Sequence, residues 1–253
     1  MTKFLDTPIY NFGIAVKKDE IFDYPQEVLD FSFDERTAAV FPDMVHRSIP
    51  GYAAVLQMTA AIADYFLRRA NAEKPLIYDL GCSLGAVSLA LKRVIPENCQ
   101  IIAVDNSSAM TSRLSEYVAG AGIQNIQVQT ENILTMELDN CDVVIMNFLM
   151  QFLEPKERIR VLKNIYKSIK NNGILLLAEK TSYEDDISRL FHENFKRHQG
   201  YSDLAIAQKR ESLEQVMLTD NREVIEKRLK EVGFKQVIPY FQAFSFRAWV
   251  AVK

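Results

Sequence analysis

The chain has 253 residues, 48% of them hydrophobic and 25% charged, with only 9 glycines and a formal net charge of -3. That composition belongs to a soluble globular protein of about one large domain and excludes a disordered or fibrous chain. The slight excess of acid offers no global positive field to recruit nucleic acid. The three cysteines are widely spaced and never form C-x-x-C, which argues for a reducing compartment without a disulfide framework or structural zinc. The longest apolar runs have strand length, far short of the ~20 residues that span a bilayer. A cytoplasmic protein with no membrane contact is the expectation.

In chain order, residues 1–70 read as a helical N-terminal extension that caps a site in the domain after it. Turn signals at Pro8, Asn11-Phe-Gly13 and Pro25 come first. Beyond Ile49-Pro50-Gly51, apolar residues from Ala53 to Phe66 recur at helical spacing and predict an amphipathic helix from Tyr52 to Arg69. From residue 71 onward, strands and helices alternate. Leu76 to Leu80 predicts a strand, Leu84 to Ile95 a helix halted by Pro96, Ile101 to Val104 a strand, and Ser108 to Val118 a helix. Two more strands follow at Ile126 to Val128 and Val143 to Met146, then a helix marked by Ile159, Leu162, Ile165 and Ile169. Asn171-Asn172-Gly173 is expected to end that helix before a fifth strand at Ile174 to Leu177. Residues about 183–220 read as a helical insertion, and a last helix runs through Val224 to Val232 with Gly233 as its cap.

Nearly continuous apolar strands separated by helices mean a parallel sheet covered on both faces. The runs Phe234 to Phe244 and Phe246 to Val252 have no helix between them, so they pair antiparallel. The predicted fold is α/β, a doubly wound, mostly parallel seven-stranded Rossmann-like sheet over residues 71–253 with a C-terminal antiparallel hairpin. That combination resembles the class I S-adenosylmethionine-dependent transferases.

The first predicted strand ends in Tyr78-Asp79-Leu80-Gly81-Cys82-Ser83-Leu84-Gly85. Ligands of doubly wound sheets bind outside the carboxyl ends of the strands, where the order reverses. Gly81 lets a ligand approach the backbone, and Gly85 lets the next helix pack close. Neither G-x-G-x-x-G nor a G-K-[ST] phosphate loop occurs, so a ligand without a pyrophosphate suits the loop, unless it is a plain strand-to-helix turn. Asp105 ends the second strand and can accept both hydrogen bonds of a ribose diol; its structural alternative is a helix cap. Asn132 and Ile133 follow the third strand, where an adenine amino group and ring nitrogen would be met. Asn147 faces the same crevice, with capping of the next turn as its alternative. Gly81-Cys82-Ser83-Leu84-Gly85 also matches the G-x-S-x-G nucleophile elbow, but no strands or oxyanion loop precede it as a hydrolase requires.

A more specific resemblance rests on blocks in order along the chain from about residue 31. They are Phe33-Asp-Glu-Arg36, Val40-Phe-Pro-Asp-Met44, Arg47-Ser-Ile-Pro-Gly-Tyr52, the Tyr78–Gly85 loop, Asn147-Phe148 with Gln151-Phe-Leu-Glu-Pro155, and Gln208-Lys-Arg210 with Val216-Met-Leu-Thr-Asp220. These resemble the carboxy-S-adenosylmethionine synthases of bacterial tRNA wobble-uridine modification. The resemblance implies conversion of S-adenosylmethionine and prephenate to carboxy-S-adenosylmethionine and phenylpyruvate. It implies no metal, and another enzyme passes the carboxymethyl group to tRNA.

Carried over by position, Tyr52, Gly81, Cys82, Ser83, Asp105, Asn106, Asn132, Ile133, Asn147 and Arg210 line the pocket; the family's acidic adenine partner is Asn132 here. Arg210 and Tyr52 are the expected catalytic pair, holding a carboxylate while the sulfonium acidifies its methyl group. The residues alone read Arg210 as a solvated partner of Glu214 at i,i+4. Family members are homodimers, which leaves open whether Arg210 serves its own chain's site or its neighbour's; Tyr240, Phe241, Phe244 and Phe246 are expected near that interface. No nucleic-acid contact is expected, and Lys196-Arg197-His198 reads as a solvated helix face. A conventional methyltransferase acting on a small molecule or RNA, or a non-catalytic adenosyl-binding protein, are the alternatives.

Overall fold

The computed structural model describes residues 17–70 and 72–253. The turn signals at Pro8 and Asn11-Phe-Gly13 lie outside them. Helix α1 (Glu35–Ser48) opens where the Asp34 side chain accepts the Thr37 N–H, an N-cap followed by Glu35 in the first turn. It carries Pro42 within it, and the turn at Ile49-Pro50-Gly51 leads to α2 (Tyr52–Ala70), as the spacing predicts. Gly51 has φ +71, and a Cβ there would sit 2.8 Å from the Phe241 ring, so this turn needs glycine.

The sheet follows: β1 (Leu76–Leu80), α3 (Ala86–Lys92), β2 (Gln100–Asp105), α4 (Ser108–Gly120), β3 (Ile126–Thr130) and β4 (Cys141–Asn147). Then come α5 (Pro155–Ser168), β5 (Ile169–Lys180), α6 (Asp186–His198), α7 (Asp203–Leu213), α8 (Arg222–Val232), β6 (Gln236–Ala243) and β7 (Phe246–Val252). The order is β3-β2-β1-β4-β5-β7-β6, with β7 antiparallel to both neighbours and the other pairings parallel. The strand order therefore reverses between β1 and β4.

Alternate strand residues feed two cores. Ile77, Ile101, Val143, Ile145, Ile174 and Leu176 pack with Leu56, Leu91 and Leu114 from α2, α3 and α4. Tyr78, Leu80, Val144, Met146, Leu175 and Leu177 pack with Leu162, Ile165 and Leu229 from α5 and α8. A strand buried on both faces has no polar side, which is why these strands read as unbroken apolar runs.

Several boundaries differ from the sequence reading; α3 ends at Lys92, three residues short of Ile95, so Pro96 does not halt it. Helix α3 starts at Ala86 rather than Leu84, because Ser83 (φ 48) and Gly85 (φ 79) hold left-handed backbone that no helix continues through. Asn171-Asn172-Gly173 does not cap a helix. Helix α5 already ends at Ser168, β5 starts at Ile169, and the pairing with β4 jumps from Cys141↔Ile169 to Val143↔Ile174. Asn172, at φ 65, lies in that irregularity. The same left-handed residue preference serves a helix end and a strand bulge. Gly233, at φ 122, does end α8 as expected.

Candidate functional site

One cavity of about 1010 Å³ opens beyond the carboxyl ends of β1, β2 and β4, and α1, α2, α6 and α7 contribute its other walls. All ten residues carried over from the sequence border it.

At the strand tips, backbone geometry dominates. The Val104 carbonyl accepts the N–H groups of Gly81 at 2.8 Å and Cys82 at 2.9 Å, which ties the loop to β2. The Asp105 carboxylate accepts from Ser83 N–H at one oxygen and from Ser107 N–H at the other, both at 2.9 Å. Each oxygen keeps a further lone pair for a ribose hydroxyl. Ser107, not Asp105, caps α4, accepting the Met110 N–H. Burial holds the Asp105 carboxyl above its ordinary range, opposed by those backbone donors.

Asn147 ends β4, and its side-chain nitrogen and oxygen are buried without any hydrogen-bond partner. It caps no turn. The next residue, Phe148, holds φ 59 at the cavity wall. Asn132 is exposed, with its side-chain oxygen already taking the Leu134 N–H at 2.9 Å. The Cys82 thiol is pushed up by burial, and next by Asp79 and Asp105, so it is no ready nucleophile.

From Asn147 the wall is aromatic. Phe148 lies 6.2 Å from the buried Tyr52 ring and 5.9 Å from Phe246, which meets His192 edge-on at 5.0 Å. Of the aromatics expected at a subunit interface, Phe246 thus lines the cavity, Tyr240 bonds Thr59 and Phe241 packs at Gly51. Phe244 is exposed.

The far end gathers cations. Arg210 on α7 lies 2.8 Å from Glu193 of α6, not beside Glu214, and Arg189 reaches the same Glu193 oxygen at 3.0 Å. His192 presents Nε2 to the Ser48 carbonyl and Nδ1 to the Tyr183 hydroxyl, both at 2.8 Å. A carbonyl only accepts, so Nε2 carries the proton and Nδ1 accepts from Tyr183. Burial, with Lys196 nearby, lowers the His192 pKa to about 3, so this imidazole is neutral and fully engaged. Lys180, at the tip of β5, and Lys196, on α6, also line the cavity. Lys196 is therefore not part of a solvated face: only Arg197 and His198 of that run are exposed, because His192 and Lys196, one turn apart, share the inward side of α6.

A methyltransferase-domain family matches residues 77–173. The carboxy-S-adenosyl-L-methionine synthase of Dichelobacter nodosus is 51% identical over 93% of this chain and 98% of its own length. That of Yersinia enterocolitica is 43% identical over 94% and 91%. The chain belongs to the carboxy-S-adenosyl-L-methionine synthase family. Magnesium protoporphyrin IX methyltransferase from Synechocystis, solved with bound S-adenosylhomocysteine, shares the fold at a TM-score of 0.55 and 14% identity, over 79% of this chain and 84% of that one.

The residues at the strand tips fit the adenosyl substrate of this family. Asn147 needs a partner for both polar atoms, and the acceptor-only Asp105 suits a diol. The chain is thus an S-adenosylmethionine-dependent enzyme. Sequence reasoning missed Lys180, Tyr183, His192 and Lys196. The i,i+4 spacing of His192 and Lys196 was the available signal.

Proposed function

We propose that this chain converts S-adenosylmethionine and prephenate to carboxy-S-adenosylmethionine and phenylpyruvate, a supply of carboxymethyl groups for tRNA wobble-uridine modification. The observation that supports this most is that one cavity joins an adenosyl-shaped end to a cationic end through an aromatic wall containing Tyr52. Its volume accommodates a second reactant beside the nucleoside.

The adenosyl substrate contributes a sulfonium that makes its methyl group acidic. Asp105 orients the ribose, Asn147 satisfies polar groups near the β1–β4 crevice, and Phe148 and Phe246 exclude water. Tyr52 and Arg210 hold the carboxylate that the methyl carbon acquires. Neither His192, neutral with both nitrogens engaged, nor Asp79, buried against Ser88, is free to take a methyl proton. Prephenate therefore supplies the base. It loses carbon dioxide and hydroxide to become phenylpyruvate; the hydroxide takes a methyl proton and leaves as water; and the methyl carbon bonds the carbon dioxide. Within one chain Arg210 already borders the cavity; a homodimer in a cytoplasmic setting completes this reading.

Mass spectrometry of the purified protein incubated with S-adenosylmethionine and prephenate tests it. A cofactor product heavier by one carbon dioxide, dependent on prephenate, is expected. A methyl group transferred intact to another molecule would overturn the proposal in favour of a conventional methyltransferase, and binding without turnover in favour of a non-catalytic protein.

A further inference from the structure

The cations at the far end of the cavity are not all directly paired, although Glu193, Glu211 and Glu214 also line it. Arg189 and Arg210 reach Glu193, and Lys209 bonds Ser48 at 3.0 Å with Asp19 beyond at 3.4 Å. Lys180 and Lys196 have no such partner. Neither ammonium makes a hydrogen bond or ion pair among the described residues; Lys180 only overlies the Tyr183 ring at 4.7 Å. Both line the cavity and are largely withdrawn from water, which alone lowers the Lys180 pKa to about 8. Burial first, then Lys209 and Lys180, lowers that of Lys196 to about 7. Two desolvated cations with no hydrogen-bonded anion, Glu193 only partly offsetting the charge at Lys196, are unfavourable in the free protein, so the arrangement persists for what it binds.

We propose that Lys180 and Lys196 are the seat of the pyruvyl carboxylate of the co-substrate, the one that survives the reaction. This rests on the proposed reaction. A carboxylate that leaves as carbon dioxide gives up its negative charge, so a cation beside it stabilises the ground state and slows the loss. The departing carboxylate belongs against the apolar wall of Phe148 and Phe246. The retained one keeps its charge throughout and can be anchored at no cost to the barrier. That wall connects the two ends: Phe246 touches His192, whose Tyr183 partner lies under Lys180. The two lysines then set the direction in which the co-substrate enters, and phenylpyruvate, which keeps this carboxylate, must depend on them as well.

The test titrates prephenate and phenylpyruvate by calorimetry into protein saturated with S-adenosylhomocysteine, which has no methyl group to react. Wild type is compared with Lys180→Met, Lys196→Met and Lys196→Arg. Each Met variant is expected to weaken both acids about 10-fold or more, with Arg restoring part of the loss. S-adenosylhomocysteine affinity should stay within about 2-fold, and the melting temperature should hold or rise, since an unpaired buried charge has gone. Unchanged binding of both acids overturns the proposal. A loss confined to prephenate overturns it too, because the lysines would then hold the departing carboxylate. An equal loss of S-adenosylhomocysteine affinity also overturns it, by making these residues part of the general cavity shape. Lysine-dependent binding of both acids by a wild type that makes no carboxylated product overturns the proposed reaction and keeps the subsite. A wild type that binds neither acid overturns both.

Discussion

The two ends of the cavity are built on different plans. At the strand tips, the loop Gly81–Gly85, Asp105 and Asn147 come from the ends of β1, β2 and β4, and backbone N–H groups set most of the geometry. At the far end, Ser48, Lys180, Tyr183, His192, Glu193, Lys196 and Arg210 come from α1, the tip of β5 and the loop after it, α6 and α7, and side chains make most of the contacts, the Ser48 carbonyl excepted. A backbone-made site follows from the sheet itself and serves any member of the fold. A side-chain site assembled from an extension and an insertion can be specialised without disturbing the sheet. On the proposed reaction, the nucleoside lies at the first end and the second reactant at the other.

The strongest way to break this division is Arg210→Ala. It should reduce the kcat/KM for carboxylated product by about 1000-fold, the order expected for loss of a charged group that holds the acquired carboxylate. S-adenosylmethionine binding should persist, weakened only a few-fold. Steady-state kinetics with mass-spectrometric detection measures the first and calorimetry the second; full activity would remove Arg210 from the chemistry. Asp105→Ala should do the reverse, weakening S-adenosylhomocysteine about 100-fold by deleting charged hydrogen bonds to the diol and leaving the Ser83 and Ser107 N–H groups unsatisfied. An unchanged dissociation constant would take it out of the ribose site.

That same division decided what the sequence could show. The strands were readable because both faces are covered and each run is apolar throughout. Asp105 and Asn147 were readable because a strand tip beside the reversal of strand order is a place defined by the fold. The far end has no local signature. Without the resemblance, helical spacing paired Arg210 with Glu214, whereas the partner is Glu193 on another helix. Lys196 looked like part of a surface run because only its place on the inward side of α6, one turn from His192, distinguishes it from Arg197 and His198. Gln208 and Lys209, which flank Arg210 in the recognised block, are structural: Gln208 bonds the carbonyls of Phe22 and Tyr24, and Lys209 is buried against Ser48 and Asp19. The block therefore mixes an anchoring residue, Gln208, with two that border the cavity, Lys209 and Arg210. Asn171-Asn172-Gly173 was misread for a different reason, since local preference for left-handed backbone does not say which element it interrupts.

A pH series sharpens the electrostatic side of the comparison. Lys196 and Lys180, at about 7 and 8 in the free protein, lie below the ordinary lysine value of 10.5 because burial penalises their charged forms. Their cost to stability is therefore present at neutral pH and fades as the pH rises toward 10.5. A bound carboxylate favours the ammonium, so affinity for the co-substrate should fall as they deprotonate. Glu193 opposes the lowering at Lys196 while Lys209 and Arg210 add to it. His192, at about 3, and Tyr183, at about 12, do not titrate in this range. The KM for prephenate should rise about 10-fold between roughly pH 6.5 and 8.5, and Lys196→Arg should flatten the profile. A pH-independent KM would mean that the lysines keep their charge or never meet the carboxylate. The adenosyl end should show little change over the same interval.

The smallest expected effect separates binding from folding at one residue. Asn147 buries two polar atoms that no protein group satisfies, which penalises the free protein and is repaid only when a ligand supplies the partners. Asn147→Leu keeps the approximate size and removes the unsatisfied groups. Stability of the ligand-free protein should rise by about 1 kcal/mol in chemical denaturation, while S-adenosylhomocysteine affinity falls about 5-fold in calorimetry. The opposite signs are the informative part. A residue that merely braced the end of β4 would lose stability on substitution and leave affinity alone, and that result would transfer the role assigned to Asn147 back to the sheet.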